Sequence, residues 1–449
     1  MKKDSLIKLI ALSGVPLVMV LGNSMLIPVF PEMQRSLDIS KLQVGLTITL
    51  FSLPAGITIP IMGFLCDKIG RKKIIVPSLI IYGIGGLISG AAITFFGKSF
   101  IILLVGRVVQ GIGAAGTAPI AMALVSDIFT SNERSKALGS IEAANGLGKV
   151  LSPILGSAIA LIIWYAIFFV YAMLAIPIAI AVWLVIKEPQ LKTKNQSLSK
   201  YLEKIMRLFK EKGKGLVGCY LAGSTVLLLL FGILSYLSDV LEDKYNLKGI
   251  IKGLTLAVPV LAMSTTSFLS GKYLQKNQKK MKTFIIVGFF TIAFSLAAIA
   301  FFNKSNIIFF TSVFVMGIGT GLVLPAVNTL VTSSCKLEER GGITALYGSV
   351  RFFGVAVGPP FFSLLLGHNK NIMFYSAAFL ALIAGIIGIF LIKEQELMSE
   401  TDNKEKKGNP TVEDLAKLIN AGSFKKGEKN LMAEYVGFVK EMFYKKRIE

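Results

Sequence analysis

Three polar side chains interrupt one apolar stretch at spacings of three and four: Glu142, Asn145 and Lys149. At 3.6 residues per turn they fall along one face of a helix. A carboxylate, an amide and an ammonium so placed suit reversible proton binding, because burial raises a carboxylate's proton affinity and a nearby cation lowers it. Seven residues separate Glu142 from Lys149, about 10 Å of helical rise, so only long side chains and water bridge them. Arg351 lies 206 positions after Asn145 and offers a second cation from another apolar stretch. Asn23 and Asn328 add uncharged polar groups. Two readings stay open. The stripe either lines a cavity, with Glu142 protonatable and Lys149 or Arg351 tuning it, or it locks helices together.

Hydrolytic, metal and phosphate chemistry find no support. The single histidine, His368, has no partners and falls in a predicted turn. Cys66, Cys219 and Cys335 lack metal-ligand spacing and, being three, cannot all pair. There is no Ser-His-Asp set and no Walker phosphate loop. The chain is expected to be no enzyme and to hold no cofactor or metal.

The elements that position these groups are apolar runs about as long as a bilayer core is thick. Of 449 residues, 53% are hydrophobic and 16% charged. Twelve runs stand out, at 8–30, 43–66, 74–96, 99–128, 137–162, 164–186, 215–238, 249–271, 282–302, 305–334, 342–366 and 371–392. The fold class expected is an all-α polytopic membrane protein of twelve transmembrane helices. The first run, behind Lys2 and Lys3, is too long for a signal-peptide core and lacks a small-residue cleavage site, so it reads as a retained span.

A formal charge of +22 would suit nucleic acid or anionic lipid, but its distribution favours topology. Lys68, Arg71, Lys72, Lys73, Arg134, Lys136, Lys272, Lys276, Lys279, Lys280, Lys282, Lys336 and Arg340 fall in alternate loops, together with the basic segment 187–214. The opposite set is sparse, as in Lys98, Lys304 and Lys370. Positive-inside bias then puts both termini in the cytoplasm of a plasma-membrane protein that contacts lipid but not nucleic acid. Asp239, Glu242 and Asp243 fall at the opposite, outer end of the seventh run, where they either attract cations or sit in a solvated loop.

A repeat is visible at an offset of 206 residues: Gly111-Ile112-Gly113 meets Gly317-Ile318-Gly319, Pro119 meets Pro325, Glu133-Arg134 meets Glu339-Arg340, Gly148 meets Gly354, and Pro153 meets Pro359. The expected organisation is a six-helix bundle over 1–186, a cytoplasmic basic linker over 187–214, a second six-helix bundle over 215–392, and a cytoplasmic amphipathic tail over 393–449. Paired bundles of this kind suit a carrier whose binding site lies between them near the bilayer midplane.

Three motifs carry a family resemblance over residues 1–392. Between the second and third runs, Gly63-Phe64-Leu65-Cys66-Asp67-Lys68-Ile69-Gly70-Arg71-Lys72-Lys73 resembles the loop signature of the major facilitator superfamily, G-x-L-x-D-x-x-G-R-K-x. Gly63 permits close helix approach, Gly70 the reversal, and Asp67 can meet a basic residue or a helix N-terminus. Such a contact would latch one conformation shut. The second half carries a faded copy at 271–277, with Gln275 in place of the acid.

In the fourth run, Arg107-Val108-Val109-Gln110-Gly111-Ile112-Gly113 resembles the family's R-x-x-Q-G-x-G motif. The resemblance implies proton transfer at Arg107; the alternative is a hydrogen bonder to carbonyls of neighbouring helices. In the fifth run, Gly148-Lys149-Val150-Leu151-Ser152-Pro153-Ile154-Leu155-Gly156-Ser157 is similar to the antiporter motif G-x-x-x-G-P-x-x-G-G, with Ser152 and Ser157 replacing two glycines. Gly148, Ser152, Pro153 and Gly156 would make a bent, tightly packed helix. The resemblance, closest to the twelve-span drug:proton antiporters, implies proton-coupled efflux of lipophilic or amphipathic small molecules by a functional monomer. A carrier of a specific metabolite, sugar or lipid is the alternative. In the tail, Thr411 and Asp414 resemble a capping pair, and the spacing beyond predicts two amphipathic helices.

Overall fold

A computed structural model describes residues 3–129, 131–188, 198–302, 304–335 and 340–397. Its regular structure is entirely helical among these residues: α1 (Lys3–Ser24), α2 (Phe30–Leu37), α3 (Lys41–Ile69), α4 (Arg71–Thr94), α5 (Phe100–Ala115), α6 (Ala118–Ile128), α7 (Ser131–Ala160), α8 (Ala166–Val185), α9 (Leu198–Asp243), α10 (Gly249–Lys276), α11 (Met281–Phe301), α12 (Asn306–Ser333), α13 (Arg340–His368), α14 (Lys370–Leu391) and α15 (Glu394–Leu397). Helices satisfy their own backbone groups where no water can, which is why apolar runs of this length adopt them.

Eleven stretches among the described residues are long and apolar enough to cross a membrane. The twelfth span is α7, whose 30 residues suffice in length. Glu142, Asn145 and Lys149 make it too polar to register by composition, so the least membrane-like helix is the one that bears the stripe. With α7 counted, the architecture is the expected twelve-helix fold.

Prolines and glycines reshape two spans. The first apolar helix ends at Ser24, not 30, and is followed by a short 3-10 turn at Ile27–Val29 and then α2, because Pro28 and Pro31 remove backbone donors. The fourth span is two helices that meet at Gly116-Thr117, with Pro119 in the first turn of the second. The third span begins immediately after Gly70, whose φ of +112° is open to glycine and strained for other residues.

The 206-residue offset recurs in the packing. Ser99 and Ser305 each cap a helix, accepting from the N–H of Ile102 and Ile308. A Cβ on Gly111 would lie 2.1 Å from the Phe51 carbonyl, and one on Gly317 2.3 Å from the Pro259 carbonyl. Each glycine thus seats the fourth helix of its set against the second. Gly148 faces Leu17 of α1, and its counterpart Gly354 faces Ser224 of α9, so fifth packs on first in both sets. Between the sets, α3 packs against α13 and α7 against α10.

The segment 187–214 is helical from Leu198 onward and runs without a break into the seventh span, so α9 is 46 residues long. Lys212 ties it to the Ser334 and Leu397 carbonyls at 2.9 and 3.0 Å. The two amphipathic helices expected in the tail lie outside the described residues.

Candidate functional site

The structure gathers Glu142, Asn145 and Lys149 of α7 with Arg351 of α13. Glu142 is exposed, and Asn145 donates to its carboxylate at 3.4 Å. Beside them, a Cβ on Gly146 would meet nothing within 4 Å, so the helix borders open space there. Lys149 makes no hydrogen bond or ion pair among the described residues. Its charged neighbours are Arg351 and Glu142. Arg351 donates to the Asn328 side chain at 3.5 Å, and its guanidinium carbon sits 5.4 Å from the Tyr347 ring centroid. Its Nε is buried without a partner, as is the Tyr347 hydroxyl.

Arg107 and Asn23 form a separate centre. Arg107 is fully buried, with 0% exposure. Its Nε donates to the Thr47 carbonyl at 2.9 Å, and its terminal nitrogens donate to Gln110 Oε1 at 2.6 Å, the Gly22 carbonyl at 3.0 Å and Asn23 Oδ1 at 2.8 Å. The Phe51 ring lies 4.4 Å beneath its guanidinium carbon. Asn23 in turn donates to Ser52 Oγ at 2.8 Å. Each of these partners is neutral and belongs to the first six spans, an arrangement suited to a hydrogen bonder to neighbouring helices.

The loop after α3 is anchored twice. Arg71 pairs with Asp127 at 2.8 Å and more loosely with Asp67 at 3.9 Å. The Glu188 carboxylate accepts from the backbone N–H groups of Arg71 and Lys73, and any Cβ on Gly70 would strike it at 2.8 Å. Asp67 also lies 3.8 Å from the Cβ position of Gly341, in the first turn of α13. Gly63 abuts Ala345 of that helix at 3.3 Å. Gly63, Asp67, Gly70 and Arg71 therefore hold a junction between α3, the end of α6 and the start of α13.

These motifs are matched by whole-chain comparisons. The family model described as Major Facilitator Superfamily matches residues 12–359 and 282–439. The chain belongs to this superfamily. Among relatives, it is 40% identical over 394 residues to the bacillibactin exporter of Bacillus subtilis (strain 168), covering 87% of this chain and 98% of that one. Multidrug resistance protein 1 of the same organism is 27% identical over 372 residues, 80% and 89% of the two chains. A solved structure of a bacterial homolog to the human lysosomal transporter Spinster superposes with a TM-score of 0.72 at 18% identity, over 89% of this chain and 99% of that one. The protein is thus a multi-pass membrane carrier of small molecules, and not an enzyme.

Small residues close the gaps between helices. A Cβ on Gly156 would come within 2.2 Å of the Met25 carbonyl, and one on Gly253 of α10 within 2.6 Å of the Pro153 carbonyl. Ser152 and Ser157 are buried with unpartnered hydroxyls, so they serve here by size.

A charged cluster at the end away from the lysine-rich loops was not foreseen as a site. Arg35 pairs with Glu242; Lys252 donates to Glu242 at 2.7 Å and to the Pro28 carbonyl; Lys41 pairs with Asp239 at 2.9 Å and Asp243 at 3.4 Å. Ser238 adds a bond to the Ile27 carbonyl at 2.7 Å. Of the two readings for these acids the structure shows the first, since cations of α2 and α3, about 200 residues away in sequence, clasp them. The signal available was complementary: Arg35 and Lys41 stand on the loop set otherwise poor in cations.

Proposed function

We propose that the protein is a proton-coupled exporter in the cytoplasmic membrane, with the lysine-rich end and both termini inside, working as a monomer by alternating access. The observation that carries this reading is the stripe itself: an exposed carboxylate, Glu142, in one face with Lys149 and opposite Arg351 of the second six spans. In this reading the Glu142 carboxylate, near Lys149 and beside open space, exchanges the proton as the two sets of helices change register. Antiport needs such a group, since the same site must exchange proton for cargo.

The relative that this chain matches along nearly its full length supports export, and bacillibactin as the cargo to test first. Efflux of lipophilic compounds is the second reading, favoured by the multidrug relative. In proteoliposomes with an imposed pH gradient, bacillibactin movement should follow the gradient and stop on addition of an uncoupler. Glu142→Gln should leave binding and folding intact while removing the dependence on the gradient. Gradient-driven export at the normal rate by that variant removes Glu142 from the mechanism, and transport indifferent to the uncoupler removes proton coupling.

A further inference from the structure

Two intramembrane guanidinium groups of this chain are treated in opposite ways. Arg107 has four acceptors between 2.6 and 3.0 Å, which is how this fold satisfies a cation whose task is structural. Arg351 has a single amide at 3.5 Å, a ring face, and an Nε left buried and unpaired. Guanidinium carries five donors and no acceptor, so several stand unused. Lys252 makes the same contrast with Lys149: the first is held by a carboxylate and a carbonyl, while the second has no bonded partner among the described residues.

Arg351 is also a charged neighbour of Lys149, as is Glu142. Two like charges near one another inside a membrane protein, with one exposed carboxylate nearby, leave about one positive charge uncompensated. Among the described residues no carboxylate pairs with either cation. The surrounding groups are suited to an oxygen-bearing guest: the Tyr347 hydroxyl is buried and unpartnered, the Asn328 amide meets Arg351, and Asn145 lies one helical turn from Lys149.

We infer that Lys149 and Arg351 form a subsite for the ionised oxygens of an organic anion, held between the fifth and eleventh spans. The subsite rests on the carrier reading above and narrows its cargo. A guanidinium takes two oxygens of a carboxylate or of adjacent acidic hydroxyls side by side, and an ammonium serves as a point charge for a third. The Tyr347 ring backs the guanidinium and keeps its plane available. An anion bound here would touch both sets of six spans at once, with Glu142 close enough for its proton state to oppose or permit the guest's charge. Cargo of this class differs from the lipophilic cations that an apolar cavity with a lone carboxylate would select.

The test uses two dyes on one xanthene frame, anionic 5-carboxyfluorescein and cationic rhodamine 123, with the purified full-length carrier in nanodiscs. Fluorescence anisotropy should show the anion bound more tightly than the cation. Lys149→Gln and Arg351→Gln should each weaken the anion by about tenfold or more, the loss expected for a charge-assisted contact. Arg351→Lys should recover part of the loss, and Lys304→Gln, on an exposed turn, should change nothing. Thermal unfolding of each variant, compared with the parent, separates lost binding from lost folding. Preference for the cation, no binding of the anion to folded parent protein, or anion binding unchanged in both glutamine variants overturns the subsite. Bacillibactin efflux in the liposome assay reports separately on the export reading. Export without anion preference would sink the subsite alone, and anion binding without gradient-driven transport would sink the export reading alone.

Discussion

Glu242→Gln should open the end of the carrier away from the lysine-rich loops. The carboxylate holds Lys252, which is 2% exposed, and it also reaches Arg35 on the first six spans, whose side chain is 56% exposed. The Arg35 arm is screened by solvent and contributes about 0–1 kcal/mol. The Lys252 arm is different, because breaking a buried pair strands a charge and costs about 3–5 kcal/mol. Glutamine keeps an oxygen for the ammonium, and about 2–3 kcal/mol is a fair net figure. Lys252 also bonds the Pro28 carbonyl of the first set, so that cost falls on the conformation in which the two sets meet here. At 1.4 kcal/mol per tenfold, the shift toward the open conformation is on the order of 30–100-fold.

The assay is labelling of Ser363→Cys by a membrane-impermeant maleimide. Ser363 lines a small pocket at this end with Phe30, Gln34, Lys41 and Asp239, and the background would have Cys66, Cys219 and Cys335, all buried, replaced by serine. The labelling rate should rise at least about tenfold with Glu242→Gln. The double variant Glu242→Met with Lys252→Met should return it toward the parent rate, since an apolar pair of similar volume replaces a buried ion pair at little cost. Unchanged labelling in a folded Glu242→Gln protein would refute the reasoning, as would a double variant more open than the single one.

Arg107→Leu should lower stability by about 3–5 kcal/mol, since the carbonyls of Gly22 and Thr47 and the side chains of Asn23 and Gln110 all lose a charged donor; thermal unfolding in detergent measures it, and a melting temperature within a degree of the parent would contradict the structural role. Gly156→Val should prevent α7 from seating on the turn just after α1, because its Cβ has only 2.2 Å to the Met25 carbonyl; expression in the folded form should drop sharply, and a well-folded variant with unaltered transport would count against that contact. Asp67→Asn should slow turnover without weakening substrate binding, since a carboxylate by the first turn of α13 is worth about 0.5 kcal/mol at this exposure. Equal loss in both parameters would place Asp67 outside the latch.

Much of the fold is legible in the sequence because membrane crossing leaves a local signature. Span lengths, the basic loops and the Gly-x-Gly pairs at 111 and 317 are properties of short windows, and the structure gives each a matching helix, turn or close approach. Breaks at Pro28 and at Gly116-Thr117 escape a hydropathy reading because apolarity continues across them while backbone donors do not. The site was legible in part. Glu142, Asn145 and Lys149 share a face by helical period alone. Whether an intramembrane arginine is satisfied depends on carbonyls from other helices, so Arg107 and Arg351 look alike as residues and differ in surroundings. The pairs Arg35–Glu242 and Lys41–Asp239 join positions that only the tertiary fold makes neighbours.

The contact of Gly253 with the Pro153 carbonyl has a mechanical meaning. Where α7 crosses α10, one backbone rests on another, with a hydrogen atom on one side and a carbonyl on the other. Helices that meet through interlocked side chains must lift out of one another's grooves to slide, which makes their travel stepwise. A bare crossing has no teeth. In the alternating-access cycle proposed above it would serve as a bearing between the two sets of helices, and a methyl group at position 253 would be enough to turn that bearing into a ratchet.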